Sequence, residues 1–138
     1  MRSHFFSKAV NALSLAARIC AAALAIAAFI LLAAAYIPSR IRTAVGHPML
    51  AAIMLWSLSH LLVNGDLASI VLFGSFLVYS VYDRISVQQR AALGPLGSRQ
   101  GTIAGDFTAI LVGTGAFIAM LLWGHARLIG VALIPGWN

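Results

Sequence analysis

Residues 47–66 read HPMLAAIMLWSLSHLLVNGD. The apolar run through the middle reads as a membrane helix. It nevertheless carries an imidazole at its start, His47, and another near its end, His60, and it stops on the polar tripeptide Asn64-Gly65-Asp66. Ionisable groups are costly in lipid and mark function when they occur there. The stretch therefore sets the class of the fold and nominates its first candidate residues.

The rest of the chain supports the membrane reading. Of 138 residues, 62% are hydrophobic and only 9% charged, and the mean hydropathy is +0.97. Soluble domains average roughly 45–50% apolar and about 25% charged residues. A soluble fold of this size has no interior large enough for so much apolar surface. The expected class is an all-α, polytopic membrane protein, with residues 1–138 forming a single membrane domain and the lipid bilayer as its first partner. The net charge is +6. The basic residues sit singly at the ends of apolar runs, so they read as topology signals and headgroup contacts. No basic patch with interleaved aromatics is present, which argues against nucleic acid as a partner. Cys20 is the single cysteine and lies inside an apolar run, so neither an intrachain disulfide nor a thiolate metal site is expected.

Four transmembrane helices are predicted, at about 19–37, 48–63, 67–82 and 102–123, in a small bundle. At ~1.5 Å per residue the first nearly matches a ~30 Å hydrocarbon core. The second and third are short, about 24 Å each by the same rise. With only Asn64-Gly65-Asp66 between them, they form a tight helical hairpin whose tip stays near the interface. No segment alternates with period two, which excludes a closed barrel. Residues 1–18 read as a short polar or amphipathic arm. The apolar run after it exceeds the usual 7–15 residues of a signal-peptide core, so it is read as a retained helix whose alanines permit close packing. Residues 83–101 read as a polar connector, with Gly94-Pro95 and Gly97-Ser98 as turn signals.

Arg40, Arg42, Arg84, Arg90 and Arg99 fall on one side of this topology. Arg2, Lys8 and Arg127 fall on the other, with Arg18 at a boundary. The excess places the loops 38–47 and 83–101 in the cytoplasm. Tyr36, Tyr79 and Tyr82 fall at the inner interface and Trp123 at the outer one.

His47 and His60 differ by about 140° in azimuth and about 20 Å along one helix, so they cannot bind one metal ion together. His47 precedes Pro48, a favoured first helical residue, and reads either as an interfacial cap or as a ligand or proton-transfer group. His60 has three readings: a structural histidine bonded to a neighbouring helix or snorkelling to the interface, a ligand to haem or another metal, or an acid–base group. His125 falls near the same outer level as His60. The two could clamp a haem iron between helices ~8–10 Å apart, or His125 could simply sit among headgroups. Gly65 can take a positive φ, and Asp66 suits the N-cap of the next helix with Ser69 at N3. Alternatively, Asp66 and Asn64 orient the His60 imidazole. No nucleophile–base pair, paired carboxylates, HExxH, CxxC or glycine-rich cofactor loop is present, and no catalytic residue is assigned.

The run AAFILLAAAYIPSRIRTAVGHPMLAAIMLWSLSHLLVNGDLASIVLFGSFLVYSVYDRIS, together with WGHARLIGVALIP near the carboxyl end, resembles the NnrU family. That family includes the plant 15-cis-zeta-carotene isomerase. The resemblance covers about residues 27–138, and its most specific part is the spacing of HPM, Trp56, SHLLVNG and Asp66. It implies a multispanning protein of the bacterial inner membrane, associated with denitrification through nitrite and nitric oxide reduction. The isomerase branch implies haem b with histidine ligands. By motif, the ligand histidine of the SHLLVNG segment is His60 and that of HPM is His47, with His60 favoured. Family members usually carry a further amino-terminal half, and the resemblance implies a second ligand from that half. Here that ligand would come from His125, from another membrane subunit, or not at all. The expected function is an accessory factor or subunit in respiratory nitrogen-oxide metabolism. The alternatives are a haem-dependent polyene isomerase and a cofactor-free structural subunit of a larger membrane complex.

Overall fold

The computed structural model describes residues 2–134. Six α-helices account for most of them: α1 Arg2–Ala34, α2 Arg40–Val45, α3 Pro48–Leu61, α4 Leu67–Gln89, α5 Ile103–Ala119 and α6 His125–Ile129. A π turn, Met120–Gly124, joins the last two. The all-α membrane class is borne out. Leu13–Ala34, Leu67–Gln89 and Ile103–Ile129 are each long and apolar enough to cross a bilayer, and Pro48–Leu61 is a shorter apolar helix.

The boundaries differ from the expected ones for local reasons. Helix α1 begins at Arg2, not near residue 19, so the amino-terminal arm and the first span are one helix. Nothing between Arg2 and Ala34 breaks it, since the run holds neither glycine nor proline. Helix α4 runs on past Asp83-Arg84 to Gln89, which takes the first two turns from the expected 83–101 connector. Arg84 has a use inside this extension: its guanidinium donates to the carbonyls of Val45 (3.0 Å) and His47 (3.2 Å). The helix ends where Ala91 takes φ 48° and the Ala92 N–H returns to the Val87 carbonyl at 2.9 Å, a left-handed closure. Helix α2 was not expected at all. Ser39 caps it by accepting from the Arg42 N–H at 3.1 Å.

Helix α1 lies in the middle, packed on α3 along one side and on α5 along another; α4 packs on α3. Among the described residues α5 touches neither α3 nor α4, so the spatial order is α4, α3, α1, α5. Small residues allow the close approach. Ala21, Ala28, Ala34 and Ala35 of the α1 segment are buried, as are Ala52 of α3 and Gly105, Ala109 and Gly113 of α5. The last three repeat every fourth residue and form one stripe. A Cβ at Gly113 would lie 2.5 Å from the Ile30 Cα. A Cβ at Gly105 would collide with the Pro38 carbonyl.

The loops grouped on one side by charge do lie at one end of the molecule. The Thr102 N–H and hydroxyl both donate to the Pro38 carbonyl (3.1 and 3.2 Å). Asp106 accepts from the Ile41 N–H at 3.0 Å. Arg42, buried, donates to the carbonyls of Gly97 and Arg99. The opposite end carries the α3–α4 turn and the far ends of α1 and α5. Asp66 caps α4 there as expected, accepting from the Ser69 N–H at 2.9 Å. The turn closes without the left-handed glycine expected at Gly65.

Candidate functional site

His60 sits in the last turn of α3, where the α3–α4 turn folds α4 back alongside it. Trp56, one turn earlier, shares its face. The two rings lie 4.9 Å apart, tilted by 53°. From α4, Phe73 stacks on the imidazole, with centroids 4.4 Å apart and planes at 26°. Phe73 and Phe76 both meet Trp56 edge-on, at 5.1 and 5.5 Å. The imidazole is thus held by aromatic faces from two helices, and it is only half-buried.

The hydrogen bonds hold one ring nitrogen. His60 Nδ1 lies 2.8 Å from the Trp56 carbonyl and 3.2 Å from Ser59 Oγ. The Ser59 hydroxyl already donates to that same carbonyl at 2.7 Å. A carbonyl only accepts, so the geometry assigns the proton to Nδ1, with Ser59 Oγ accepting a share of it. Nε2 makes no hydrogen bond among the described residues. A ring nitrogen anchored to a backbone carbonyl while the other stays free is the arrangement found in metal-ligating histidines. The bond runs to the helix's own carbonyl, not to a neighbouring helix.

The other candidates serve the backbone. The His47 side chain makes no cap bond; its carbonyl takes the Arg84 guanidinium. The Asn64 amide donates to the His60 carbonyl at 2.9 Å, which closes the end of α3. The Asp66 carboxylate is spent on Ser69, whose hydroxyl and N–H hold it below its ordinary pKa. Neither side chain bonds the imidazole; the Trp56 carbonyl and Ser59 fill the orienting role proposed for them.

His125 follows the π turn, and its Nδ1 donates to the Val131 carbonyl at 2.8 Å. It lies inside the continuous helical run 103–129, not at its end. The structure does not bring it to His60. The helices that carry the two histidines make no contact, and α1 lies between α3 and α5. Their heights differ too. Both helices start at the arginine end, and at ~1.5 Å per residue His60 lies about 18 Å along α3 while His125 lies about 33 Å along the α5 run.

The aromatic clamp was not predicted. Trp56 and His60 at i and i+4 were visible as one face, but the register that delivers Phe73 depends on the turn. Trp56 also forms one wall of an apolar cleft between α1 and α3, about 200 Å³ and lined by Ala28, Phe29, Leu32, Ala52 and Ile53. Among the described residues no three His, Cys, Asp or Glu side chains gather as a metal cluster.

Comparison with protein families matches residues 4–133 to the family described as NnrU protein, which carries the similarity well ahead of residue 27. Comparisons with curated proteins and with solved structures found no match.

Proposed function

The chain belongs to the NnrU family, and from that premise we propose that it is an accessory factor or subunit of nitrogen-oxide respiration in the bacterial inner membrane, with His60 as a haem b ligand. Family membership carries the first part of the reading. The His60 geometry supports the second. A lone histidine with a free Nε2 suits a macrocycle that brings its own four nitrogens better than a bare ion, which needs several protein ligands. Nδ1 bonded to the Trp56 carbonyl fixes the tautomer, and Phe73 fixes the ring plane. Trp56 and Phe76 add apolar surface for the edge of a porphyrin.

The residues present would supply one ligand to the iron, His60. His125 does not face His60 within one chain, so a second ligand would come from another membrane subunit. Bound haem would supply a redox-active iron. The chain's own residues hold Nε2 in place and keep its proton on the far nitrogen. The loops at the arginine end face the cytoplasm in this reading, by the excess of arginine.

Two measurements test it. The purified protein, reconstituted with haem, is expected to give reduced-minus-oxidised bands that His60→Ala abolishes and His125→Ala retains. No bands in the wild type would remove the haem and leave the cofactor-free structural subunit. Separately, deletion in a denitrifying host is expected to lower nitrite or nitric oxide reduction; unchanged reduction would overturn the respiratory role.

A further inference from the structure

The arginine end holds an imbalance that the fold does not resolve. Arg42 is 7% exposed. Its two terminal nitrogens donate to the Gly97 and Arg99 carbonyls, and its Nε is buried with no acceptor among the described residues. Carbonyls satisfy donors but do not cancel a charge, and a buried cation without a counter-ion is costly. Arg40 begins α2 beside Ser39, which bridges to Thr102. Arg99 lends its carbonyl to Arg42 from the other strand of the junction. Three arginines therefore share the Ser39–Thr102 junction, and the Arg40 and Arg99 side chains are exposed there. Two acids lie at this end: Asp106, one of whose oxygens is engaged by the Ile41 N–H, and Asp83, beside Arg84 on α4; against them stand Arg40, Arg42, Arg84, Arg90 and Arg99. Arg84 nearby is likewise spent on carbonyls.

We propose that this junction binds the phosphodiester headgroup of an anionic phospholipid, which offsets the Arg42 charge and is contacted by Arg40 and Arg99. Charge complementarity selects the occupant. The junction sits where the spans Leu13–Ala34 and Ile103–Ile129 leave the hydrocarbon, the level of lipid phosphates. Guanidinium groups match phosphate oxygens geometrically.

The full chain, purified in mild detergent, would be titrated with phosphatidylglycerol and with phosphatidylcholine at ~0.15 M salt and read by native mass spectrometry. Phosphatidylglycerol is expected to bind with preference, and each of Arg40→Gln and Arg99→Gln is expected to weaken it about fivefold. Arg90→Gln, on the same face but capping α4 through Ser86, is expected to change little. Circular dichroism would confirm that the variants keep their helices. Equal binding of the two lipids would overturn the proposal. So would an Arg90→Gln loss as large as that of Arg40→Gln, which would mean a diffuse charged surface. Displacement of the lipid by millimolar inorganic phosphate would overturn it in favour of a free-anion site.

Discussion

The two ends of this small bundle are built differently. At the arginine end, hydrogen bonds join residues far apart in sequence: Ile41 to Asp106, Arg42 to Gly97 and Arg99, Arg84 to Val45 and His47, Thr102 to Pro38. At the His60 end the polar side chains bond within a turn of themselves: Ser59 and His60 to Trp56, Asn64 to His60, Asp66 to Ser69. The first end ties the helices together. The second orients individual side chains and leaves the helices joined there by apolar contact, with an imidazole nitrogen free. A ligand at His60 would therefore displace none of the contacts that close the fold.

The largest effects should come from breaking the tied end and the packing beside it. Gly113→Val places new atoms against the Ile30 backbone, where neither helix can yield without separating. Overpacking of this kind costs about 1–3 kcal/mol. Unfolding in detergent, followed by circular dichroism, should show the upper part of that range. Gly115→Val, two residues on, where an added Cβ meets nothing, should cost well under half as much. Equal losses would mean that α1 and α5 do not pack through Gly113. Arg42→Met should rank next. It leaves the Gly97 and Arg99 carbonyls without their charged donor, and such bonds contribute about 1.5–3 kcal/mol each, but it also removes a buried charge without a counter-ion, which offsets part of the loss. Its loss should also free the 90–101 segment, read as faster protease cleavage there with α3–α4 intact. Unchanged cleavage would break the distinction between the two ends.

This asymmetry was only partly legible in the sequence. Apolar run length gave the helices, and arginine counting grouped the loops that the structure brings together. The Asp66 cap followed from residue type and spacing. What the runs did not disclose depends on pairings between distant segments. Helix α4 runs past Asp83-Arg84 because Arg84 finds carbonyls in the α2–α3 link. Helix α2 forms in what read as a loop because Asp106, from α5, takes the Ile41 N–H. His125 was placed level with His60 by treating both helices as equal spans, although their starts, 48 and 103, already put the two residues at different heights. That α1 intervenes is a matter of helix order, which no local pattern encodes. His60 stood out in the sequence as an imidazole in an apolar segment with no cap or turn to explain it, but its aromatic clamp needed the hairpin register.

At the open end, substitutions should matter less to the fold than to binding. His60→Phe keeps a ring against Phe73 and removes a bond that closes only onto its own helix. The expected cost is below about 1 kcal/mol, since one local hydrogen bond contributes about 0.5–1.5 kcal/mol net and the larger ring restores apolar contact. The same variant should lose any haem signal. A loss of stability as large as that of Arg42→Met would show that His60 is structural, and would remove the contrast from which its ligand role was argued.

The smallest effect should come from Asp66, and it has a definite sign. The Ser69 hydroxyl and N–H lower its pKa from the ordinary 3.8. A carboxyl with a depressed folded pKa stabilises the fold fully above its unfolded value, and that contribution disappears as pH falls through the folded one. The carboxyl is exposed, so solvent screens it and the gain is slight. Asp66→Asn keeps an equally good N-cap acceptor and removes only the charge. The thermal midpoints of wild type and variant should therefore differ by a small, constant amount well above the ordinary carboxyl pKa of 3.8 and converge once the pH has fallen through the lower, folded value. A gap that persisted at low pH would mean that Asp66 matters through shape and not through charge. A gap as wide as that of Arg42→Met would place a fold-closing contact at the end described here as open.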